Sequence, residues 1–377
     1  MLGMGWYPDR PGGLNRYFAS LFTELRRQGA DTRAVVHGPV SSVPDGVVVA
    51  VGGSASLLRR IAGFASAARA AARGVDVVDV HFALYAIVPL LAGAWRGRPT
   101  VVHFQGPWTA ESEAAGQKGR LRLCVKRAIE GAVYRRAMRL VVLSEAFKAI
   151  LVRDYGVAAE RVVVIPPGVD AALFVPGSKA DARATLGLVA DAWVAVTVRR
   201  LVPRMGIDLL LRAWQQVAAG GANRVLLIAG EGPERARLGD LARELGVDGS
   251  VRFLGRLGDR ELQAAYAAAD VTVVPTVALE GYGLVVLESL ASGTPVIASD
   301  AGGLPEALRG FDASLVFPAG DVEALGARLR AAIDGTLPLP GPERCRGWAE
   351  SQSWAAAARR HRELYASALQ ATAAVAA

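Results

Sequence analysis

A chain of 377 residues is too long for one ordinary hydrophobic core, and at about 100–200 residues per domain it predicts two domains. With 52% apolar residues, 21% charged residues and only two cysteines, the composition excludes a disordered chain, a disulfide framework and a four-cysteine metal site. The net charge of +8 comes from the first 180 residues, which carry 23 Lys and Arg against 13 Asp and Glu, so an anionic partner is expected there.

The opening sequence MLGMGWYPDR lacks a basic region ahead of an apolar one, so no signal peptide is expected. The uncharged stretch Ala83–Trp95 of the N-terminal part has 13 residues, whereas a membrane span needs about 20. Nucleic acid is not an expected partner, because the basic residues are not interleaved with stacking aromatics. We therefore expect a cytoplasmic protein.

Short β-branched runs alternate with Ala-, Leu- and Arg-rich helical patterns along the whole chain. The runs that predict strands are Val75–Val80, Thr100–Phe104, Leu140–Leu143, Arg161–Ile165, Val194–Val198, Arg224–Ala229, Val251–Leu254, Val271–Val274 and Pro295–Ala298. Only Met1–Trp6 precede the first glycine loop, which indicates a very short first strand or a start downstream of the true one. The alternation predicts an α/β protein with parallel sheets covered by helices on both faces.

The segment Ile165–Ala182 carries three prolines and two glycines without a regular period, so it is interpreted as a linker. The predicted division is residues 1–168, residues 169–350 and a C-terminal helix within 351–377 that packs back toward the first domain. Two doubly wound, Rossmann-like domains that face each other would form a deep cleft, because ligands of such sheets bind beyond the C-terminal ends of the strands.

The first motif is PGGLNRY, Pro11–Tyr17, between the first strand and the first helix. Gly12 and Gly13 would let backbone N–H groups approach a ligand, and the helix N-terminus that follows favours an anion such as a diphosphate. A plain tight turn is the alternative interpretation. The dinucleotide pattern G-x-G-x-x-G is absent.

The second motif is VRRLVPRMGID, Val198–Asp208, directly after a predicted strand. Arg199, Arg200 and Arg204 cluster at the C-terminal end of that strand, and guanidinium groups suit phosphate oxygens. A solvated loop is the alternative.

The third motif spans Ala278–Leu308, where Glu288 is the only charge between Gly281 and Ser299. A carboxylate on an otherwise apolar helix is expected to face a ligand or a partner, since burying it unpaired is costly. Glu280 lies eight positions earlier, in the loop before the helix, where backbone amides and the helix dipole favour an anion. Acceptors for hydroxyls beside a site for an anion fit a sugar nucleotide, whereas the alternative is a helix cap plus an exposed acid.

Together these motifs resemble the family 4 retaining glycosyltransferases, which have the two-domain GT-B fold. The segments that carry the resemblance, in the family's order and spacing, are GGLNRY, RRLVP, IAGEGPE, VRFLG, YAAADVTVVPT, EGYGLVVLE and SGTPVIASDAGGLPE. The resemblance implies a hexosyltransferase that moves a sugar from a nucleotide sugar, a UDP-sugar first and a GDP-sugar second, to a hydroxyl. The nucleotide sugar would be a co-substrate, and no cofactor is implied.

The resemblance also implies roles for individual residues. Arg200 would neutralise the diphosphate, Glu280 would hydrogen-bond the donor sugar, and His103 in VVHFQGPW would lie near that sugar; taken without the resemblance, His103 is a core histidine. Glu288 would hold the ribose diol. The other implied donor-binding residues are Gly12, Gly13, Arg204, Gly230, Glu231, Gly281, Tyr282, Gly283, Leu284, Gly302 and Gly303.

One departure from the family pattern is Met205, which stands where a lysine is usual. Either Arg204 or Arg199 takes over the phosphate contact, or diphosphate binding is weaker. The sequence contains no Asp-x-Asp pair and no convincing His and Cys ligand cluster, so we expect activity without a metal ion.

The acceptor is expected to be a small molecule, a glycan or a lipid-linked compound. Trp108 and Glu111, which follow His103, are candidates for the acceptor side. The stretch 117–139 has eight Lys and Arg and one acid, so it would contact an anionic lipid at the inner membrane face or form a solvated basic face over a core-packing stripe.

Two other classes of function stay open from the sequence. A sugar-nucleotide epimerase with the GT-B fold would act on the same donors, although no acid/base motif for epimerisation is visible. A non-catalytic protein that binds nucleotide sugars is the other alternative, prompted by Met205.

Overall fold

The computed structural model describes residues 1–51, 56–109, 119–218, 220 and 223–376. The chain divides into two compact units. Unit 1 comprises Met1–Pro167 together with Trp354–Ala377, and unit 2 comprises Gly168–Ser353. The first division lies one residue from the expected boundary, and the chain returns to unit 1 at Trp354.

Unit 1 contains short strands and longer helices in alternation. Its strands are β1 (Ala34–Val36), β2 (Val47–Val49), β3 (Val78–Val80), β4 (Thr100–Phe104), β5 (Arg139–Val142) and β6 (Val162–Val164). Its helices are α1 (Gly13–Arg27), α2 (Leu57–Ala71), α3 (Ala83–Leu91), α4 (Arg120–Arg136), α5 (Glu145–Tyr155) and the last helix of the chain, Trp354–Ala376.

The described strands of unit 1 form parallel ladders that are joined through the N-terminal residues. Strands β3, β4, β5 and β6 pair in that order, and β1 pairs with β2. Leu2 bridges the two groups, because it pairs with Val35 of β1 on one side and with Val80 of β3 on the other. The first strand, at Leu2, is therefore very short. When Leu2 is counted as strand 1 and β1 to β6 as strands 2 to 7, the order across the sheet is 3-2-1-4-5-6-7.

All five residues of β4 are buried, as expected for a strand in a parallel sheet with both faces covered. Fully buried Phe104, Phe147, Leu140 and Leu151 belong to the main core of unit 1. Burial of each such side chain contributes about 1.5–3 kcal/mol to stability.

Unit 2 repeats the alternation with longer strands. Its strands are β7 (Trp193–Val198), β8 (Arg224–Ala229), β9 (Val251–Gly255), β10 (Val271–Val274), β11 (Val296–Ser299) and β12 (Val316–Phe317). Its helices are α6 (Lys179–Thr185), α7 (Ile207–Ala218), α8 (Arg235–Glu244), α9 (Asp259–Ala268), α10 (Leu284–Ala291), α11 (Leu304–Leu308), α12 (Val322–Ile333) and α13 (Pro342–Ser351), so the last helix of the chain is α14.

The six strands of unit 2 are parallel and pair in the order β12-β11-β10-β7-β8-β9. This is the doubly wound order, in which the chain reverses its direction of travel between β7 and β10. Such a reversal opens a crevice beyond the C-terminal ends of the two strands, where ligands of open α/β sheets bind. The segments that follow β7 and β10 are therefore the expected location of a ligand site in unit 2.

Helix α7 shows why the helices cover this sheet. Its buried residues include Ile207, Leu210, Leu211, Trp214 and Val217, at the spacing of one helical face. Among the described residues, no helix is both long enough and apolar enough to cross a lipid bilayer.

Candidate active site

Glycines bring the loops of unit 2 together beyond the C-terminal edge of its sheet. A Cβ on Gly230, after β8, would lie 1.8 Å from the carbonyl oxygen of Arg199, after β7. A Cβ on Gly302, after β11, would lie 2.2 Å from the carbonyl oxygen of Glu280, after β10. Both glycines have a positive φ, of 136° and 57°, which disfavours a side chain independently of the space. The close approaches fix the backbone of Arg199 and Glu280.

Two consecutive arginines follow β7 and differ in their surroundings. Arg199 is 8% exposed, and its Nη1 lies 2.9 Å from Oε2 of Glu280. Arg200 is exposed, and no side chain or backbone group of the described residues pairs with its guanidinium. Because arginine stays charged at any physiological pH, Arg200 presents a cation that can bind an anion at the switch point of the sheet.

Arg204 and Met205 lie in a 3-10 turn, Pro203–Met205, between β7 and α7. Nη1 of Arg204 donates to the carbonyl oxygen of Leu279 at 2.9 Å, and Leu279 has a φ of 58°. Arg204 thus supports the loop that carries Glu280. Met205 is buried, and its sulfur accepts a weak hydrogen bond from the hydroxyl of Thr276 at 3.9 Å.

The segment after β10 leads into helix α10 without a capping side chain. Gly283 is the N-cap residue with a φ of 87°, and the first turn of α10 holds no acidic residue. The positive end of the helix dipole is therefore not offset by a carboxylate in that turn, which favours an anionic ligand. Gly281 and Tyr282 are buried beside it, and Leu284 is half-buried.

Glu288 lies on α10 and is 6% exposed. Its Oε2 accepts a hydrogen bond from the Tyr266 hydroxyl at 3.3 Å. The side chain of Glu280 is 15% exposed, and apart from Arg199 its carboxylate has no partner among the described residues. The two glutamates thus differ, since Glu288 is enclosed while Glu280 borders the surface at the strand end.

The turn after β8 completes this part of unit 2. The backbone N–H of Leu201 donates to the carbonyl oxygen of Glu231 at 2.9 Å, and Gly303 N–H donates to the carbonyl oxygen of Glu280 at 2.9 Å. The loops after β7, β8, β10 and β11 are therefore linked pairwise. They hold the predicted donor-binding residues of unit 2 except Leu284 and Glu288, which lie on the adjoining helix α10.

Gly12 and Gly13 lie in unit 1, where α1 begins. Gly12 has a φ of 127°, a Cβ on it would meet nothing within 4 Å, and no side chain caps the helix. Both residues are exposed, so the loop is open enough for a ligand to approach its backbone.

The structure gives His103 the surroundings of a core histidine, and the role near the donor sugar that the resemblance implies stays a prediction. The residue lies inside β4, its side chain has no solvent exposure, and its ring stacks between those of His81, at 3.8 Å, and His361, at 5.2 Å. The first residue beyond β4 is Gln105, whose Nε2 lies 3.1 Å from Nδ1 of His81.

The stacked histidines surround one carboxylate in the interior of unit 1. Asp79 Oδ1 lies 2.9 Å from Nε2 of His103, and Asp79 Oδ2 lies 3.2 Å from Nε2 of His81. The Tyr365 hydroxyl donates to Oδ2 at 2.6 Å. Burial lowers the pKa of His103 and of His361 to about 4, against the opposing charge of Asp79. These histidines are therefore neutral at pH 7.

The ligand atoms of Asp79, His81 and His103 all lie within 4.8 Å of one another, a grouping that the sequence did not indicate. The rings of the two histidines are stacked and nearly parallel, with an interplanar angle of 18°. Ligation of a metal ion requires lone pairs that converge on one position. The lone pairs of two parallel rings point side by side and do not converge in this way. The geometry favours a buried polar network.

Trp108 packs against neighbouring residues of unit 1. Its ring lies 5.8 Å from that of Phe82, and Nζ of Lys126 lies 4.7 Å from its centroid. Its backbone N–H donates to Oε1 of Glu130 at 2.8 Å. Glu111, the other predicted acceptor-side residue, lies outside the described residues.

Glu130 is a buried acid that sequence reasoning did not assign. Besides the Trp108 N–H it accepts hydrogen bonds from the hydroxyls of Thr109, Tyr134 and Tyr155. The sequence carries an indication of this role, because Glu130 is the single acid of the basic stretch 117–139. A carboxylate with several donors anchors α4 to the segment after β4.

Comparison with known proteins identifies the family. The model of Glycosyltransferase Family 4 matches residues 11–173, and that of Glycosyl transferases group 1 matches residues 178–351. The D-inositol 3-phosphate glycosyltransferase of Saccharomonospora viridis is 36% identical over 344 residues, which cover 83% of this chain and 79% of that protein. The chain belongs to glycosyltransferase family 4. The expected family is thereby confirmed, and the protein is a glycosyltransferase.

Solved structures show the fold of the glycosyltransferase. The sucrose-phosphate synthase of Thermosynechococcus elongatus matches with a TM-score of 0.81 and 26% identity, covering 96% of this chain and 94% of that one. The Anabaena protein HepE, solved with UDP-glucose, matches with a TM-score of 0.77 and 21% identity, over 97% and 99% of the two chains. The two units of the glycosyltransferase are therefore the Rossmann-like domains of the GT-B fold, as the sequence predicts.

Proposed function

We propose that the glycosyltransferase moves a hexose from a nucleotide sugar to a hydroxyl group with retention of anomeric configuration and without a metal ion. The donor is a UDP-sugar, with a GDP-sugar as the second choice. The observation that carries the proposal is the charge arrangement beyond β7 and β10. The exposed Arg200, whose guanidinium has no partner among the described residues, follows β7 directly after Arg199, which forms an ion pair with Glu280. The loop after β10 leads to helix α10, whose N-terminus has no capping side chain.

In the proposed reaction the bond between the anomeric carbon and the diphosphate oxygen breaks, and its electron pair leaves with the diphosphate. The acceptor oxygen forms the new bond on the same face of the sugar, and its proton passes to the departing phosphate. Arg200 and the N-terminus of α10 stabilise the charge that develops on the leaving group, a role worth about 3–4 kcal/mol for one well-placed donor.

The two glutamates bind the donor through its hydroxyls. Oε1 of Glu280 has no partner among the described residues, so it is available to accept a hydrogen bond from the sugar. Glu288 is assigned to the ribose diol, on the apolar helix α10. The loop of Gly12 and Gly13 at the start of α1 binds the diphosphate through its backbone N–H groups.

The relatives support one class of acceptor. The curated relatives are named D-inositol 3-phosphate glycosyltransferases, and the positive charge of this chain lies within its first 180 residues. An anionic polyol such as a cyclitol phosphate fits both observations. The UDP-glucose bound to HepE, a protein with the same fold, supports the choice of UDP.

The proposal is tested by thermal shift against a panel of UDP- and GDP-sugars, followed by a transfer assay with inositol 3-phosphate. A donor present at about 100 times its dissociation constant adds about 2.7 kcal/mol of stability. We expect one UDP-sugar to stabilise the protein, and EDTA to leave the transfer rate nearly unchanged. Loss of activity with EDTA would contradict the metal-free reaction.

The same assay separates the alternative functions. Conversion of the donor to its epimer without an acceptor would identify a sugar-nucleotide epimerase. Binding of a donor without transfer to any hydroxyl compound would identify a non-catalytic nucleotide-sugar-binding protein. Failure to bind every donor of the panel would overturn the proposal itself.

We also propose a peripheral contact with anionic lipid at the inner membrane face through the basic stretch 117–139. The first two turns of α4 expose Leu121 by 78% and Val125 by 51%, with Arg122 and Arg127 exposed beside them. Exposed apolar side chains among basic ones favour an anionic interface. Co-sedimentation with anionic vesicles at low and physiological salt tests this, and no binding at either salt would contradict it.

A further inference from the structure

Unit 2 contains two buried arginines whose guanidinium groups are satisfied to very different extents. Arg183 donates from Nε to the carbonyl oxygen of Ala268, from Nη1 to that of Ala190, and from Nη2 to Oδ2 of Asp270. Each of its nitrogens has a partner, as is usual for a buried arginine that stabilises a fold.

Arg199 lacks such partners. Its Nε and Nη2 are enclosed and make no hydrogen bond with the described residues, and its remaining nitrogen, Nη1, lies 2.9 Å from Oε2 of Glu280. The pair is at ion-pair distance without hydrogen-bond alignment, since Oε2 is itself enclosed without a hydrogen bond. A buried cation with a single contact is a costly arrangement for a purely structural residue.

The backbones of both partners are held in place. Gly230 approaches the carbonyl oxygen of Arg199 so closely that any Cβ would collide with it, and Gly302 does the same to Glu280. The side chains therefore meet between two fixed anchor points. Since Oε2 faces Arg199, the other carboxylate oxygen of Glu280 is the one left for a ligand.

We propose that Arg199 is a positioning residue, which orients the carboxylate of Glu280 toward the donor sugar and so favours the intact nucleotide sugar over the free nucleoside diphosphate. The inference rests on the proposed function, because it takes Glu280 as the acceptor for a sugar hydroxyl. The two adjacent arginines then have different roles. Arg199 orients Glu280 toward the sugar, and Arg200 binds the diphosphate.

Burial decides against a direct phosphate contact by Arg199. A guanidinium can bind phosphate bidentately through Nε and one Nη or through its two Nη groups. In Arg199, Nε and Nη2 are both enclosed, so neither edge is open to a phosphate. Arg200 is exposed, so it is the arginine that a diphosphate can reach.

The test compares binding of UDP-glucose and UDP, by calorimetry, to wild type, R199M, R199K and the control R183M. We expect R199M to lower affinity for UDP-glucose about tenfold and to leave affinity for UDP within about twofold. R199K should recover part of the loss, because it restores the charge without the planar geometry. R183M should lower the melting temperature without changing the ratio of the two affinities.

A double-mutant cycle with E280Q completes the test, because R199M should have no further effect on UDP-glucose affinity once Glu280 is neutral. Equal losses for UDP and UDP-glucose, unchanged affinities, or additive effects with E280Q would overturn the inference. If R199M does not fold, R199K carries the same comparison with a smaller expected loss. Wild type that binds neither the UDP pair nor GDP-mannose and GDP would instead overturn the proposed function.

Discussion

Both units place ionisable side chains on or directly after strands of their parallel sheets, but the groups differ in their ability to lose charge. In unit 1, His81 and His103 are buried around Asp79, and burial lowers the pKa of both histidines. In unit 2, Arg199 and Arg200 follow β7, and their guanidinium groups cannot be neutralised. A histidine tolerates burial by releasing its proton, whereas an arginine keeps its charge and can attract an anion.

Contacts from the last helix, α14, are a second reason why His103 and Asp79 of unit 1 are enclosed whereas Arg200 of unit 2 is exposed. Helix α14 supplies His361, which stacks on His103, and Tyr365, which donates to Asp79. These contacts close the interior of unit 1 around its carboxylate. Within unit 2 no described group pairs with the guanidinium of Arg200, which stays exposed.

The largest expected effect concerns the exposed cation. R200A should lower kcat/KM by about 10²–10³-fold, because it removes a donor to the developing diphosphate charge. Its melting temperature should stay close to that of wild type. The control is R330A, which removes an exposed arginine at the far end of α12; a similar loss of turnover in R330A would contradict a specific role for Arg200.

Acidification should act on unit 1 through its buried histidines. The folded-state pKa of His103 and of His361 is about 4, below the ordinary value of 6.5. The unfolded chain therefore binds more protons as the pH falls, so stability is retained above about pH 6.5 and is lost between about pH 6.5 and 4. At pH 5 each histidine costs about 2 kcal/mol. Urea denaturation at pH 7 and pH 5 measures the difference, and equal stability would contradict buried, neutral histidines.

Replacement of one stacked ring separates stability from catalysis. H103L should lower the free energy of unfolding by about 2 kcal/mol, since it leaves Asp79 and the neighbouring rings without their partner. It should also flatten the pH dependence of stability, while kcat/KM at pH 7 stays within about threefold. A large loss of kcat/KM in a stably folded H103L protein would support the position near the donor sugar that the family resemblance implies.

The smallest expected effect concerns the glycine that supports Glu280. G302A places a Cβ 2.2 Å from the carbonyl oxygen of Glu280, so the loop must shift and donor affinity should fall about tenfold. G335A is the control, because Gly335 has a φ of 73° but a Cβ there meets nothing within 4 Å. Equal donor affinities in the two variants would contradict the support role of Gly302.

The sequence is sufficient to predict the alternation of strands and helices, the two-domain organisation and the family, whereas the roles of the donor-binding residues of unit 2 stay predictions. These features depend on local patterns, namely β-branched runs and charges directly after a strand. The burial of His103 could not be predicted from the sequence, because a strand alternates its faces and a residue one position from the strand end points into the core as readily as toward a ligand.

Other features depend on contacts between distant segments. The pairing of Arg199 with Glu280 joins residues about 80 positions apart, and the choice between Arg199 and Arg200 turns on which of two neighbours is enclosed. The network of Glu130 likewise collects donors from the segment after β4 and from α5. Residue types and spacing alone do not specify such partners.

The return of the chain to unit 1 at Trp354 bears on how the protein is made. Met1–Pro167 leave the ribosome before Gly168–Ser353, and His361 and Tyr365 emerge only after both segments. Until then Asp79 lacks the hydroxyl of Tyr365, and the nascent N-terminal segment is an incomplete folding unit, whereas Gly168–Ser353 is continuous and can fold earlier. A fragment that ends at Pro167 should therefore be a poor substitute for the first domain in binding studies.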